Sequence, residues 1–206
     1  MTNAPTDFIN TAIHVIVAEL RENLSRADLQ SLYSSAYALK QAPAVHNVSL
    51  GVSDTHLIIS VELVLSDSLE EFSDSSGHME FVVHSLGKYI TGMWSVDFQC
   101  NEEFPTNNTF FSHAKSITAL AVKGDARVFE WQITKWFQDL HSAMPDAIIA
   151  SGHTIEERDR HRACALILLP KEIAESSQAL FEIVGTLGIA TESLEIAAAS
   201  LSQPES

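Results

Sequence analysis

Between His46 and Leu65 apolar and polar residues alternate: His46, Val48, Leu50 and Val52, then Leu57, Ile59, Val61, Leu63 and Leu65, with Ser53-Asp54 between the runs. A period of two puts every second side chain on one face of an extended chain, so the stretch reads as a β-hairpin with one buried face. A two-residue turn sets Val52 opposite Thr55, Leu50 opposite Leu57 and Val48 opposite Ile59, which keeps every apolar pair on the same side. Ile58 and Val64 add apolar side chains to the other face of the second run, which predicts a central strand. The alternation resumes at Met79, Phe81 and Val83 and, beyond Gly87-Lys88, at Ile90, Trp94, Val96, Phe98 and Cys100. Residues 46–100 are therefore expected to form a four-stranded antiparallel β-meander.

On both sides of this block the apolar period is helical. Thr6 and Asp7 offer cap oxygens ahead of Ile9, Ile13, Ile16, Val17, Leu20 and Leu24, a stripe that predicts a helix from about residue 7 to about residue 23. Ser25 and Asp28 have capping-box spacing before Leu29, Leu32, Tyr33, Ala36 and Leu39, and Pro43 closes this second helix. Phe110, Ala114, Ile117 and Ala121 suggest a helix after Pro105, although Ile117 to Val122 also reads as a strand. Asp125 is placed to cap a strongly amphipathic helix through Phe129, Ile133, Trp136, Phe137 and Leu140. Ala147–Ala150 and Ala163–Leu169 are short apolar runs that read as two buried strands. Ile173, Leu180, Val184 and Leu187, then Leu194, Ala197, Ala198 and Leu201, complete the pattern as C-terminal helices.

The expected fold is α+β: a meander of about four strands plus two later strands, packed against N-terminal, central and C-terminal helices. No internal repeat is visible, and residues 1–206 read as one domain. Its parts are a helical hairpin at 1–43, the sheet at 46–100, helices at 105–142, and two strands followed by helices at 146–201.

Charge narrows the partners. Twenty-seven Asp and Glu against twelve Lys and Arg give a formal net charge of −15, which repels nucleic acid and anionic lipid. Two cysteines do not make a disulfide framework, and no apolar run approaches the roughly 20 residues that cross a bilayer, so a reducing cytoplasm is the expected compartment. No nucleotide-binding, nucleophile-elbow, Cys-X-X-Cys or calcium-loop motif occurs, so no cofactor is expected and no residue is singled out as catalytic.

Three clusters remain as candidate sites. His78, Glu80 and His84 share one face if residues 78–84 are a strand, where imidazole and carboxylate could act in acid–base chemistry. His153, Glu157 and His161 would share a face at i, i+4 and i+8 of a helix and could hold a metal ion, with Cys164 a turn further on. Arg158, Arg160 and Arg162 form the one dense basic patch of an acidic chain. They could bind a carboxylate or phosphate, or meet the acidic run Asp67, Glu70, Glu71 and Asp74 in the same or a neighbouring molecule.

High negative charge on a well-patterned chain without a chemical signature points to a non-catalytic interaction module of the chaperone, adaptor or inhibitor type. Its partner would be a protein with a basic surface, or a second copy in a homodimer. The alternatives are a metal-dependent or His/Glu acid–base enzyme, and a small-molecule sensor with a pocket lined by Trp94, Trp131 and Trp136.

Overall fold

The computed structural model describes residues 11–42, 44–64, 67–100, 114–155, 160–170 and 188–201. Eight strands form one antiparallel sheet: β1 (Ala12–Leu20), β2 (Val45–Val52), β3 (His56–Leu63), β4 (Ile90–Gln99), β5 (Ser116–Lys123), β6 (Ile148–His153), β7 (His161–Leu169) and β8 (Leu194–Leu201). The helices are α1 (Arg26–Ala38), α2 (Ser68–Ser73), α3 (Ser76–Met79) and α4 (Glu130–Ala143), and a wide π-helical turn, Glu80–Ser85, continues α3. No helix among the described residues is long and apolar enough to cross a membrane.

The strand order, β4-β1-β3-β2-β8-β5-β7-β6, contains the same arrangement twice. Each half places its first strand between its fourth and third, with its second strand outermost, which is the split βαβ arrangement of ferredoxin-like units. Register makes the equivalence residue by residue. Ala12 faces Leu63 and Gln99, and Ser116 faces Leu169 and Ser200. The halves join where Gly51 and Val52 of β2 pair with Leu201 and Ser200 of β8. At the equivalent place Phe98 of β4 bridges Thr154, just past β6, and the Ile155 N–H donates to the Asp97 carbonyl at 2.9 Å. The two outer strands thus meet and the sheet closes on itself.

Glycine marks both seams, at the equivalent positions 51 and 152. A Cβ on Gly51 would lie 2.1 Å from Ile117 Cγ2, and one on Gly152 would lie 1.8 Å from the Gln99 carbonyl oxygen. Inside the closed sheet lie Ile13, Val15, Val17, Ile58, Val96 and Phe98 from the first half, against Ile117, Ala119, Leu166, Leu168, Ala197 and Ala199 from the second. Outside, α1 and the helical run after β3 cover the first half through Leu32, Ala36, Phe72 and Phe81. Helix α4 covers the second half through Ile133, Trp136 and Leu140.

Several expectations hold. Ser25 caps α1, accepting the Asp28 N–H at 3.1 Å while the Asp28 carboxylate accepts the Ser25 N–H at 3.0 Å. Strand β3 is central, β4, β6 and β7 form where their patterns lie, and Ile133, Trp136, Phe137 and Leu140 of α4 are buried. Helix α4 begins at Glu130, with the Gln132 side chain accepting the Phe129 N–H, rather than at Asp125.

Others are corrected. The expected first helix is β1, buried on both faces. When nearly every position is apolar, a helical stripe can be drawn through a strand, and the β-branched Ile13, Val15, Ile16 and Val17 settle the matter. Residues 116–123 take the strand alternative. Residues 194–201 are a strand despite their alanines, because pairing with β2 and β5 outweighs a few tenths of a kcal/mol of helix propensity per residue. The hairpin register is shifted by two: Val52 faces Leu57, Leu50 faces Ile59 and Val48 faces Val61. An even shift leaves every side chain on its face. The meander's third strand is the helical run through α2, α3 and the π turn. Leu69, Phe72, Phe81 and Leu86 are its buried residues, and Met79 and Val83 are exposed. The sheet therefore has eight strands instead of about six. The stripe at Ile173, Leu180 and Val184 lies outside the described residues.

The seam geometry sets a stability test. Gly152→Ala drives a methyl into a backbone carbonyl and is expected to cost roughly 1–3 kcal/mol. Gly77→Ala, in helix α3 with nothing within 4 Å of the new Cβ, is expected to be neutral or to stabilise by up to about 1 kcal/mol. Urea denaturation of the two variants measures both, and equal effects would contradict the closed-seam geometry.

Candidate active site

On β1 the residues facing the helices are Ala12, His14, Ile16 and Ala18. Register puts His14 directly across from Asp97 of β4. The His14 side chain is 7% exposed and its Nδ1 lies 2.5 Å from Asp97 Oδ1. Phe72 of α2 and His78 of α3 close over the pair. The His14 ring stands 5.5 Å from Phe72 and 5.4 Å, edge-on, from His78, and Phe72 and His78 are 4.7 Å apart. Ser75 caps α3 by accepting the His78 N–H at 3.2 Å, which fixes the backbone that carries the second imidazole.

The partners assign the tautomers. A carboxylate and a carbonyl only accept, so His14 donates from Nδ1 to Asp97, and His78 donates from Nδ1 to the Ser73 carbonyl at 3.0 Å. With both rings neutral, the two Nε2 atoms are bare acceptors. Both are buried and have no hydrogen-bond partner among the described residues. Burial holds the His78 pKa below its ordinary value, partly opposed by the hydrogen bond to Ser73. Asp97, at 22% exposure, keeps some hydration, so its carboxylate is not fully buried.

The fold itself does not require these polar residues. Their counterparts in the second half are Thr118 for His14 and Ala198 for Asp97. The interior shows the same asymmetry. Asn47, Ser49, Ser60 and Glu62 line the first half where the second carries Ile148, Ala150, Leu166 and Leu168. Glu62 is 1% exposed, accepts a hydrogen bond from the Asn47 amide at 3.3 Å on one oxygen, and has no partner on the other. Burial pushes its pKa up to about 7, against smaller opposite effects of Asn47 and Lys40.

Of the residues that sequence spacing singles out, His78 joins the cluster, but on a helix and with His14 and Asp97 as company. Glu80 and His84 are exposed. His153 and His161 lie on two strands, not on the one helix assumed for them with Glu157. His153 ends β6 and pairs with Glu130 at 3.0 Å, and His161 begins β7 and meets Glu195 at 2.7 Å beneath the Trp94 ring. Glu157 and Arg158 lie outside the described residues, and no three His, Cys, Asp or Glu among the described residues are grouped to hold a metal ion.

Arg160 pairs with Glu195 at 2.9 Å and Arg162 with Glu130 at 3.1 Å, while Asp67, Glu70, Glu71 and Asp74 are exposed on and beside α2. Of the tryptophans expected to line a sensor pocket, Trp136 is fully buried in the core under α4 and Trp131 points to solvent at 65% exposure. Sequence reading missed His14 and Asp97, the first hidden inside an apolar run taken for a helix. A single imidazole within a run rich in Ile and Val was the available signal.

No family model matches the chain, and no curated protein matches it in sequence. Solved structures do share its architecture. A protein named for chlorite dismutase aligns over 94% of this chain and 95% of its own with a TM-score of 0.60 at 15% identity. An anthrone oxidase-like protein aligns over 93% and 92%, with a TM-score of 0.60 at 8% identity. A protein from Fusobacterium nucleatum named as a monooxygenase aligns over 94% and 92%, with a TM-score of 0.55 at 8% identity. At such identities the likeness is one of fold. The expectation of a non-catalytic, protein-binding, chaperone-like module is overturned by this comparison: these three structures, each aligned over 93–94% of the chain, bear the names of enzymes.

Glu62 gives a pH test. Its folded pKa of about 7 lies above the unfolded value near 4.5, so the folded chain holds this proton more tightly. The associated stability is complete below about pH 4.5 and is lost as pH rises through 7, by about 3 kcal/mol. Glu62→Gln mimics the protonated side chain. Urea midpoints of parent and variant should nearly coincide at about pH 4 and separate in the variant's favour by about 3 kcal/mol at about pH 8. A separation that does not change with pH would contradict it.

Proposed function

We propose that this chain is an enzyme of the oxidoreductase kind. In this reading His14 takes a proton from a small organic substrate, which is then oxidised by dioxygen. The observation that carries the reading is the 2.5 Å hydrogen bond from His14 Nδ1 to Asp97, with His14 Nε2 bare and buried. A carboxylate on Nδ1–H holds an imidazole in the tautomer and orientation that accept a proton at Nε2, and it stabilises the imidazolium that results. The electron pair of the broken C–H bond forms a bond from carbon to dioxygen; the O–O bond then breaks, one oxygen staying on that carbon as a carbonyl and the other leaving as water with the two hydrogens of the original CH2.

Phe72 and His78 pack against the His14 ring, and its Nε2 is closed to water. The neighbours' names lend support unequally. Oxidation of an organic molecule makes use of such a base, whereas chlorite has no proton to surrender at neutral pH.

Dioxygen uptake with an anthrone as substrate tests this. His14→Gln and Asp97→Asn should each lower kcat by about 10²–10⁴-fold, the range for a lost general base or a lost tautomer. Trp131→Ala, on the exposed side of α4, should leave it unchanged. Undiminished turnover in the His14 and Asp97 variants would contradict the assignment.

A further inference from the structure

The turn that carries His78 is anchored at its ends and loose between them. Leu69 and Phe72 are buried before it, and Phe81 and Leu86 after it. From Ser73 to Glu80 no residue is buried, Met79 is exposed, and nothing lies within 4 Å of a Cβ added at Gly77. The hydrogen bonds of this segment are local. Asp74 and Ser75 donate to the Glu70 and Phe72 carbonyls, Met79 donates to the Ser75 carbonyl, and the His78 ring donates to the Ser73 carbonyl. Among the described residues none of them reaches the sheet. What reaches inward is the His78 ring, which stands against His14 and Phe72 with its Nε2 buried. Segments with so few buried contacts are the ones that open locally, and here one imidazole is the contact.

Such a ring is sensitive to its own charge. Neutral, with its Nδ1 proton on Ser73, it leaves one acceptor unmet. A second proton, on Nε2, makes a buried cation whose new N–H finds no acceptor among the described residues, whereas water outside supplies one. Two ionisable groups face the ring, His14 from β1 and Asp97 from β4. Helix α2 meets it with Phe72, and Glu70, Glu71, Asp74, Glu80 and His84 are exposed. Asp97 does not supply the missing anion, because its carboxylate already accepts the His14 Nδ1 proton. Burial lowers the His78 pKa and the Ser73 hydrogen bond opposes this; His14, once charged in acid, lowers it further and Asp97 raises it. In water the ring has its ordinary pKa of about 6.5. Insertion is therefore at full strength above about pH 6.5 and weakens as pH falls below it, by at most about tenfold per pH unit for one proton.

We propose that His78 is a proton-released plug: neutral, its ring stays inserted and closes His14 Nε2; protonated, it withdraws into water with the Ser73–Glu80 segment and opens the reactive centre. The space for a substrate beside His14 is then the space the ring leaves. That the plug guards a reactive atom rests on the placement of the reactive centre at His14; its withdrawal does not.

Proton NMR of the whole chain with a neutral, soluble nitroxide tests the proposal, because the relaxation of each imidazole C–H reports its exposure whatever its charge. At about pH 8 the His14 and His78 ring protons should be shielded relative to those of exposed His84, and at about pH 5 the relaxation of both should rise several-fold. His78→Phe, a plug that takes no proton, should keep His14 shielded at both pH values. His78→Ala, which has no plug, should leave His14 exposed at both. Rings that stay shielded in acid, a rise at His14 that survives His78→Phe, or a His14 still shielded in His78→Ala would each overturn it. Withdrawal as expected, with turnover undiminished in His14→Gln, would remove the oxidase reading alone. His14-dependent dioxygen uptake with exposure that does not change with pH would remove this inference alone.

Discussion

Closure of the sheet is the constraint on which the rest of the structure depends. Two four-stranded halves pair edge to edge through β2 and β8, and the free edges β4 and β6 are brought together on the far side. Closure removes exposed strand edges and creates an inside. It also demands close approach at two seams, and glycine occupies the equivalent position at each, Gly51 and Gly152. Alanine at 119, 150, 197 and 199 keeps the interior of the second half small enough to pack against Phe98 and Ile13.

With the frame set by packing, the polar residues can be judged against a built-in control. The second half fills the places of His14, Asp97, Ser60 and Glu62 with Thr118, Ala198, Leu166 and Leu168. Burying a polar group without a partner costs about 1–3 kcal/mol, and the first half does so at both imidazole Nε2 atoms, at Ser60 and at Glu62. Stability alone favours the second half's choices. In the proposed function His14 and Asp97 are a reactive centre in which unmet hydrogen-bonding capacity at Nε2 is the working feature, whereas Ser60 and Glu62 lie on the opposite face of the sheet.

What could be read from the sequence follows from how many neighbours decide each element. The capping box at Ser25 and Asp28 and the stripe of α4 are local, and both were legible. Hairpin faces at β2 and β3 were legible too, because a period of two survives an even slip in register. β1, buried on both faces, and the alanine-rich β8 were not: each carries too few polar residues to show a period, and only their partners reveal them. The duplication left no repeat in sequence, since packing constrains size and apolarity, not identity, and Gly51 and Gly152 share a role that no local pattern announces. For the same reason the site escaped notice. His14, His78 and Asp97 come from three elements, and it is β1 pairing with β4, under a run that turned out helical, that brings them together.

In the proposed site His14 and His78 each hold their proton on Nδ1 and present a bare Nε2. Long-range ¹H–¹⁵N correlation spectra of the histidine side chains at neutral pH report this directly. Both rings should show a protonated Nδ1 and an unprotonated Nε2, with the His14 signals shifted in Asp97→Asn. A proton on Nε2 of either ring would contradict it.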